Sequence, residues 1–326
     1  MANAITGSSA LSASPTNYSG ANSQLSQAIQ TIWSKEILFQ AMPILRFEQF
    51  AVKKTELGVQ PGLTINFMRY NNLGQASQLV EGVRMETNAL SATQFSITVA
   101  EHGYAVAVSE LLLNASFDDI MASASRLLGR NMATYLDVSA RDTLLTASST
   151  IYGYDKSGLT FGANSPYDHG TAAANRAALT ANHKFTTATV KDAVETLATK
   201  NTPRLGETYV CFIHPHQSRQ LRDDPEFIEV TKYAAPGNFM LGEIGRLNDV
   251  VFIETTQIKQ VAGTAGLPVY QSIFLGDNAF GHAISLPVEL RDGGILDFGR
   301  EHALAWYAIW GLGLITDQSV LKAETA

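Results

Sequence analysis

Two stretches rich in β-branched and aromatic residues, Leu63 to Tyr70 (LTINFMRY) and Gln94 to Ala100 (QFSITVA), flank a polar stretch containing Asn71, Asn72 and Gly74. The pattern predicts a long two-stranded ribbon with a flexible tip, inside an extended segment at about 50–110. A two-stranded ribbon alone is marginal in water and leaves its strand edges unpaired, so a neighbouring subunit is its simplest cover. The tip carries Glu81, Arg84 and Glu86, charges suited either to pairing across an interface or to a solvated loop face.

A long amphipathic helix is predicted next, over 116–147. Phe117, Ile120, Ala124, Leu127, Leu128, Tyr135, Val138 and Leu145 recur at three- and four-residue steps. Ser116 is the candidate N-cap, Asp118 and Asp119 complement the helix dipole, and Asp137 with Arg141 forms an i,i+4 pair. At 1.5 Å per residue such a helix spans roughly 45 Å. Before it, Leu25, Ile29, Ile32, Trp33, Ile37 and Leu38 outline a shorter apolar stripe, which a peripheral helix packed on its own subunit would also explain.

Residues 148–184 are rich in Gly, Ser, Asn and Ala with little periodicity and read as loops. Beyond them the pattern predicts a helix over Thr187 to Lys200, a buried strand over Tyr209 to Ile213, a short helix opened by His214-Pro215 and stopped near Pro225, and strands at Val250 to Glu254 and Ser272 to Leu275. This half is α+β. The apolar run Ala303 to Ile315 fits a core strand or a buried helix, and periodicity does not decide between them.

Composition narrows the possibilities. Charged residues make up 16 % of the 326, against roughly a quarter in an average soluble protein, which points to surface shared with other subunits. A net charge of −7 argues against wrapping nucleic acid as the main activity. Cys211 is the single cysteine and sits in an apolar run, as a buried structural thiol would. The first residues lack the basic and apolar regions of a signal peptide, and no window approaches the ~18 apolar residues of a membrane span. A soluble protein made in the cytoplasm is expected. No charged side chain precedes Lys35, so the N-terminal segment reads as a frayed terminus or an arm that orders on a partner.

Catalytic signatures are sparse. His214 and His216 flank a proline without a spaced third ligand, and His102 and His282 sit beside glycines in the manner of turn or surface residues. Gly311-Leu312-Gly313 lies in an apolar run and lacks the third glycine and acidic partner of a dinucleotide site. The adjacent pairs Asp118-Asp119 and Asp223-Asp224 look like helix-end charges. A hydrolase built on His214, Asp223 or Glu254 would need a base, nucleophile and orienting group together, and none can be named.

From Gln40 through Leu145, then Ile213-His214-Pro215, Leu221-Arg222-Asp223-Asp224-Pro225, Gly242-Glu243-Ile244-Gly245-Arg246-Leu247 and Leu275-Gly276-Asp277-Asn278-Ala279-Phe280-Gly281, the chain resembles the major capsid proteins of tailed bacteriophages with the Johnson fold. The resemblance implies an N-terminal arm at 1–49, an extended loop at 50–110, a peripheral domain at 111–185 carrying the spine helix, an axial domain at 186–300 and a C-terminal return to the peripheral domain at 301–326. It implies self-assembly into pentamers and hexamers of an icosahedral virion shell around double-stranded DNA. A portal and scaffolding or decoration proteins would be partners, synthesis would occur in the host cytoplasm, and no cofactor, metal, catalytic residue or membrane would be involved. An encapsulin-type nanocompartment is the alternative shell. Some family members lock the shell with a lysine-to-asparagine isopeptide bond from the extended loop, but this chain has no lysine between Lys54 and Lys156. No such crosslink is expected at its loop tip.

Overall fold

The computed structural model describes residues 46–55, 64–70, 73–76, 78, 81–82, 84–85, 87–115, 120–155, 170–224, 226–228 and 245–326. The expected helix around Leu25 to Leu38, the cap at Ser116, Asp118 and Asp119, and Glu86 lie outside the described residues. The first half contains β1 (Val52–Lys54), β2 (Thr64–Tyr70), β3 (Ala92–Thr98), β4 (Ala100–Ser109), α1 (Glu110–Ala115), α2 (Ile120–Leu144), β5 (Thr150–Tyr152) and β6 (Tyr154–Asp155). The second contains β7 (His183–Lys184), α3 (Thr187–Thr199), β8 (Tyr209–Ile213), α4 (Pro215–Arg222), β9 (Arg246–Leu247), β10 (Val250–Glu254), β11 (Gln260–Ala262), β12 (Pro268–Leu275), β13 (Phe280–Leu296), β14 (Glu301–Leu314) and β15 (Val320–Thr325). The fold is α+β, and the undecided run at 303–315 is strand through Leu314.

The chain divides into two compact units. One comprises the described residues of Ile44–His102, Ala133–Pro287 and Ala308–Ala326, and its core is a seven-stranded sheet in the order β5-β15-β12-β8-β10-β9 with β11 paired to β12. Strand β8 is buried at every position because both of its faces are covered, which is why its sequence is an unbroken apolar run. Cys211 and Ile213 point into a cluster with Val190, Ala193, Leu197 and Leu221 from α3 and α4, while Val210 and Phe212 point into another with Phe47, Ala140, Leu144, Ile273 and Phe280. Burial pushes the Cys211 thiol well above its ordinary pKa, consistent with a packing role.

Side chains close the helix ends in this unit. The Thr186 hydroxyl accepts from the Thr189 amide, and the buried Asp224 carboxylate accepts from the Thr187 amide at 3.0 Å, so the first turn of α3 is satisfied from two directions. At α4, His214 Nδ1 accepts from the His216 amide at 3.1 Å with Pro215 at the first helical position. Asp223 meets Arg219 at 3.8 Å as a helix-end charge, but Asp224, adjacent to it, is fully buried and caps a different helix.

The described residues of 148–184 include strands that their composition does not suggest. Residues 150–152 add β5 in parallel to β15, and β6 pairs with β7. Backbone pairing drives this order, and backbone pairing leaves no mark on side-chain periodicity.

The other unit comprises the described residues of Gly103–Met132 and Val288–Tyr307. Within it Trp306 Nε1–H donates to Asn131 Oδ1 at 3.1 Å, the Arg291 guanidinium lies 4.1 Å from the Tyr307 ring centre, and the Glu110 amide donates to the Arg300 carbonyl at 2.8 Å.

Helix α2 is 25 residues long, so it spans about 37 Å rather than 45 Å. It stops at Leu144, after which Thr146 and Ala147 make tight turn bonds and Ser148 is tethered to Asp317. Its buried hydrophobic side chains are Ala124, Leu128, Met132, Ala133, Leu136, Ala140 and Leu144. Leu127 and Tyr135, expected on the apolar stripe, are exposed instead, at 66 % and 42 %. The Asp137–Arg141 pair is also replaced. Asp137 turns inward to main-chain amides, while Arg141 donates to the Gln257 carbonyl at 2.6 Å and pairs with Asp142.

Candidate intersubunit surface

The ribbon forms in the expected place. β2 and β3 pair antiparallel from Thr64↔Thr98 to Tyr70↔Ala92, seven residues and about 24 Å of extended chain. At its root Ile65 and Ile97 are paired and bury themselves against Val99, Ala283 and Ile309. Two glycines of β14 permit that contact: a Cβ on Gly311 would sit 2.3 Å from the Thr98 carbonyl oxygen, and one on Gly313 would sit 2.8 Å from Ile97 Cγ1. Neither glycine was assigned a role from sequence. Their signal is alternate glycines inside a strand pattern, which marks a close backbone approach.

Away from the root several apolar side chains of the ribbon and of the stretch between its strands face solvent. Met68, Tyr70, Leu73, Met85 and Leu90 are all at least 60 % exposed. Glu81 and Arg84 lie in and just after the turn at Gly82, whose φ of +81° needs glycine, and both are exposed. Neither is held in an ion pair with another described residue, so the chain itself does not bring them together; Glu86 lies outside the described residues. Beside the ribbon a cleft of ≈400 Å³ is lined by Val52, Met68, Phe95, Pro203, Ile315 and Thr316 among others.

Where the N-terminal segment joins the core, Asp137 Oδ1 accepts the amides of Arg46 and Phe47, and the Phe47 ring packs 4.3 Å from Phe212. Burial pushes the Asp137 carboxyl up, the two amide bonds and the nearby arginines offsetting only part of it, and its Oδ2 is buried with no partner among the described residues. Next along the chain, buried Glu48 binds Lys53 Nζ at 2.7 Å and His282 Nδ1 at 3.1 Å. Burial raises the Glu48 carboxyl, but hydrogen bonds from His282 and Lys53 with their charge outweigh it and hold it below its ordinary range.

His282 is therefore a core residue in a strand, not a turn or surface residue. His102 is likewise in a strand. Its Nε2–H donates to the Trp310 carbonyl at 3.2 Å, which leaves Nδ1 to accept from the Tyr135 hydroxyl at 2.9 Å, and its ring stacks 4.0 Å from that of Trp310. Burial draws this imidazole below its ordinary pKa. His214 and His216 both lie against the Tyr270 ring. No group of three or more His, Cys, Asp or Glu able to hold a metal occurs among the described residues, and none of their helices is long and apolar enough to cross a membrane.

The family model described as phage capsid protein matches residues 92–322, well over half the chain. This chain belongs to the phage capsid protein family. No curated protein sequence matches it. Solved structures similar to this phage capsid protein include the capsid of Ralstonia phage GP4, with a TM-score of 0.65 at 17 % identity over 85 % of this chain and 87 % of that one. The cyanophage Pam1 capsid asymmetric unit gives a TM-score of 0.65 at 17 % identity, covering 88 % and 92 %. The capsid structure of cyanophage P-SCSP1u gives 0.65 at 14 % identity, covering 86 % and 88 %. The fold is that of phage major capsid proteins, and the role of this capsid protein is structural, as a component of the icosahedral shell.

Proposed function

We propose that this capsid protein closes its shell by lapping the ribbon of each copy over an adjacent copy within pentamers and hexamers, without enzymatic activity and without covalent staples. The carrying observation is the contrast along one ribbon, fixed at its root by Ile65, Ile97 and the two glycines of β14 yet leaving Met68, Tyr70, Leu73, Met85 and Leu90 exposed farther out. Exposed apolar side chains on a two-stranded ribbon gain stability when a neighbour covers them. Glu81, Arg84 and Glu86 at the tip would set the register through ion pairs across the contact.

In this reading residues 1–49 form an N-terminal arm, 50–110 the extended loop, 111–185 a peripheral domain on the α2 spine, 186–300 an axial domain and 301–326 the return to the peripheral domain. The shell contains double-stranded DNA and meets a portal, with scaffolding or decoration proteins as further partners, and is built in the host cytoplasm. Large repeated heterologous contacts that close on themselves supply strength against the packaged genome. Replacing Met68 and Tyr70 together by Asp tests the lapping contact. Sedimentation should show a folded chain that no longer forms particles; particles at the wild-type yield would refute the contact.

A further inference from the structure

Strands β13 and β14 are joined by the turn Asp297-Phe298-Gly299-Arg300, and its second residue is in the wrong place by local physics on two counts. Phe298 has φ 55° and ψ 30°, the left-handed region that disfavours any residue with a bulky Cβ substituent, and it follows Asp297 at φ 49°. Two successive left-handed residues are the province of Asn, Asp and Gly. Asp297 meets that demand and its carboxylate pairs with Arg300 inside the turn. Phe298 does not, and its ring is 105 % exposed, so it gains nothing from its own subunit in return. An Asn or Gly here would relieve the backbone and remove a large apolar surface from water at once.

We propose that Phe298 is an assembly knob whose ring is covered by a second copy of this chain in the shell. The inference rests on the shell reading above. A residue unfavourable in the free chain both by conformation and by hydration is accounted for by a state in which it is buried. A shell protein presents its flanks to further copies of itself, which makes a second copy the occupant. The receiving chemistry is present in the same unit, where Tyr104, Leu111, Leu112 and Leu127 are exposed at 56 %, 79 %, 50 % and 66 %. Covering a whole phenylalanine side chain shifts an association constant by tenfold or more.

The test compares the full-length chain with Phe298→Gly, Phe298→Asn and Phe298→Tyr, reading the melting temperature of unassembled protein and the concentration at which light scattering shows particles. The glycine and asparagine variants should melt at or above the wild-type temperature yet need at least tenfold more protein to assemble, while the tyrosine variant should assemble near the wild-type threshold. Wild-type shells together with unaltered assembly of both turn-compatible variants would overturn this inference alone, and would assign the ring to a different protein or to none. Failure of the wild-type chain to form any particle would overturn the shell reading and this inference with it.

Discussion

Asp137, in the middle of helix α2, holds the amide of Phe47 at 2.8 Å and so fixes the point at which the N-terminal segment enters the core. The same Oδ1 accepts the Arg46 amide, also at 2.8 Å. The two amides are consecutive donors converging on one acceptor, and Phe47 itself is fully buried against Phe212. One carboxylate thus anchors Arg46 and Phe47 to helix α2.

Removing it should be costly in a way that depends on the substitution. Asp137→Ala leaves a buried amide unpaired and should destabilise the chain by about 1–3 kcal/mol in urea unfolding. Asp137→Asn keeps an acceptor and should cost less. Because the folded pKa is raised above 3.8, the folded state holds the proton more tightly. The Asp137 contribution to stability is therefore greatest at low pH and falls as pH rises through that window. The difference in stability between wild type and the asparagine variant should shift toward the variant over the same range, and a pH-independent difference would contradict the assignment.

Gly311 has no room for a side chain. Gly311→Ala sets a Cβ against the Thr98 carbonyl and should destabilise by about 1–3 kcal/mol, because a backbone oxygen cannot move aside as a side-chain tip can. Gly74→Ala, with nothing within 4 Å of the new methyl, is the control and should leave the melting temperature unchanged. Equal melting temperatures for the two would remove the close approach from the account of the ribbon root.

The tip charges should act on assembly and not on folding. Glu81→Lys and Arg84→Glu are each expected to leave the melting temperature of the unassembled chain within about 0.5 kcal/mol equivalent, since exposed charges away from partners contribute little. Each should slow particle formation at low salt, with the defect fading as ionic strength rises. Assembly kinetics indifferent to both reversals at every salt concentration would mark these residues as a solvated loop face.

Much of the architecture is legible in the residues, for identifiable reasons. Strand β8 reads directly because burial on both faces makes it a continuous apolar run, and the ribbon reads because β-branched and aromatic residues bracket a polar tip. The family resemblance rests on the stretch from Gln40 through Leu145 and the short motifs that follow it in order, from Ile213-His214-Pro215 to Leu275 through Gly281. What escaped depends on contacts distant in sequence. His282 looks like a turn residue beside glycine, because its partner Glu48 is 234 positions away. Asp137 looks like the partner of Arg141, because an i,i+4 spacing is visible in one dimension and an incoming backbone is not. Leu127 fits an apolar stripe by period, yet a helix knows its neighbours only after packing. Phe298 was missed although a phenylalanine between Asp and Gly in a turn is an anomaly in itself.

Without a lysine between Lys54 and Lys156 the tip of the ribbon cannot contribute the amine of an isopeptide staple. Particles boiled in detergent under reducing conditions should run as a single band at the chain mass of 35.2 kDa. A ladder of multimers would show covalent locking by another route.

The central claim, that this chain builds a closed shell from itself, is tested most directly by negative-stain electron microscopy of the purified protein with light scattering on the same sample. Uniform closed shells or capsomer rings are the expected result. A monodisperse monomer across a range of salt and protein concentrations would contradict it.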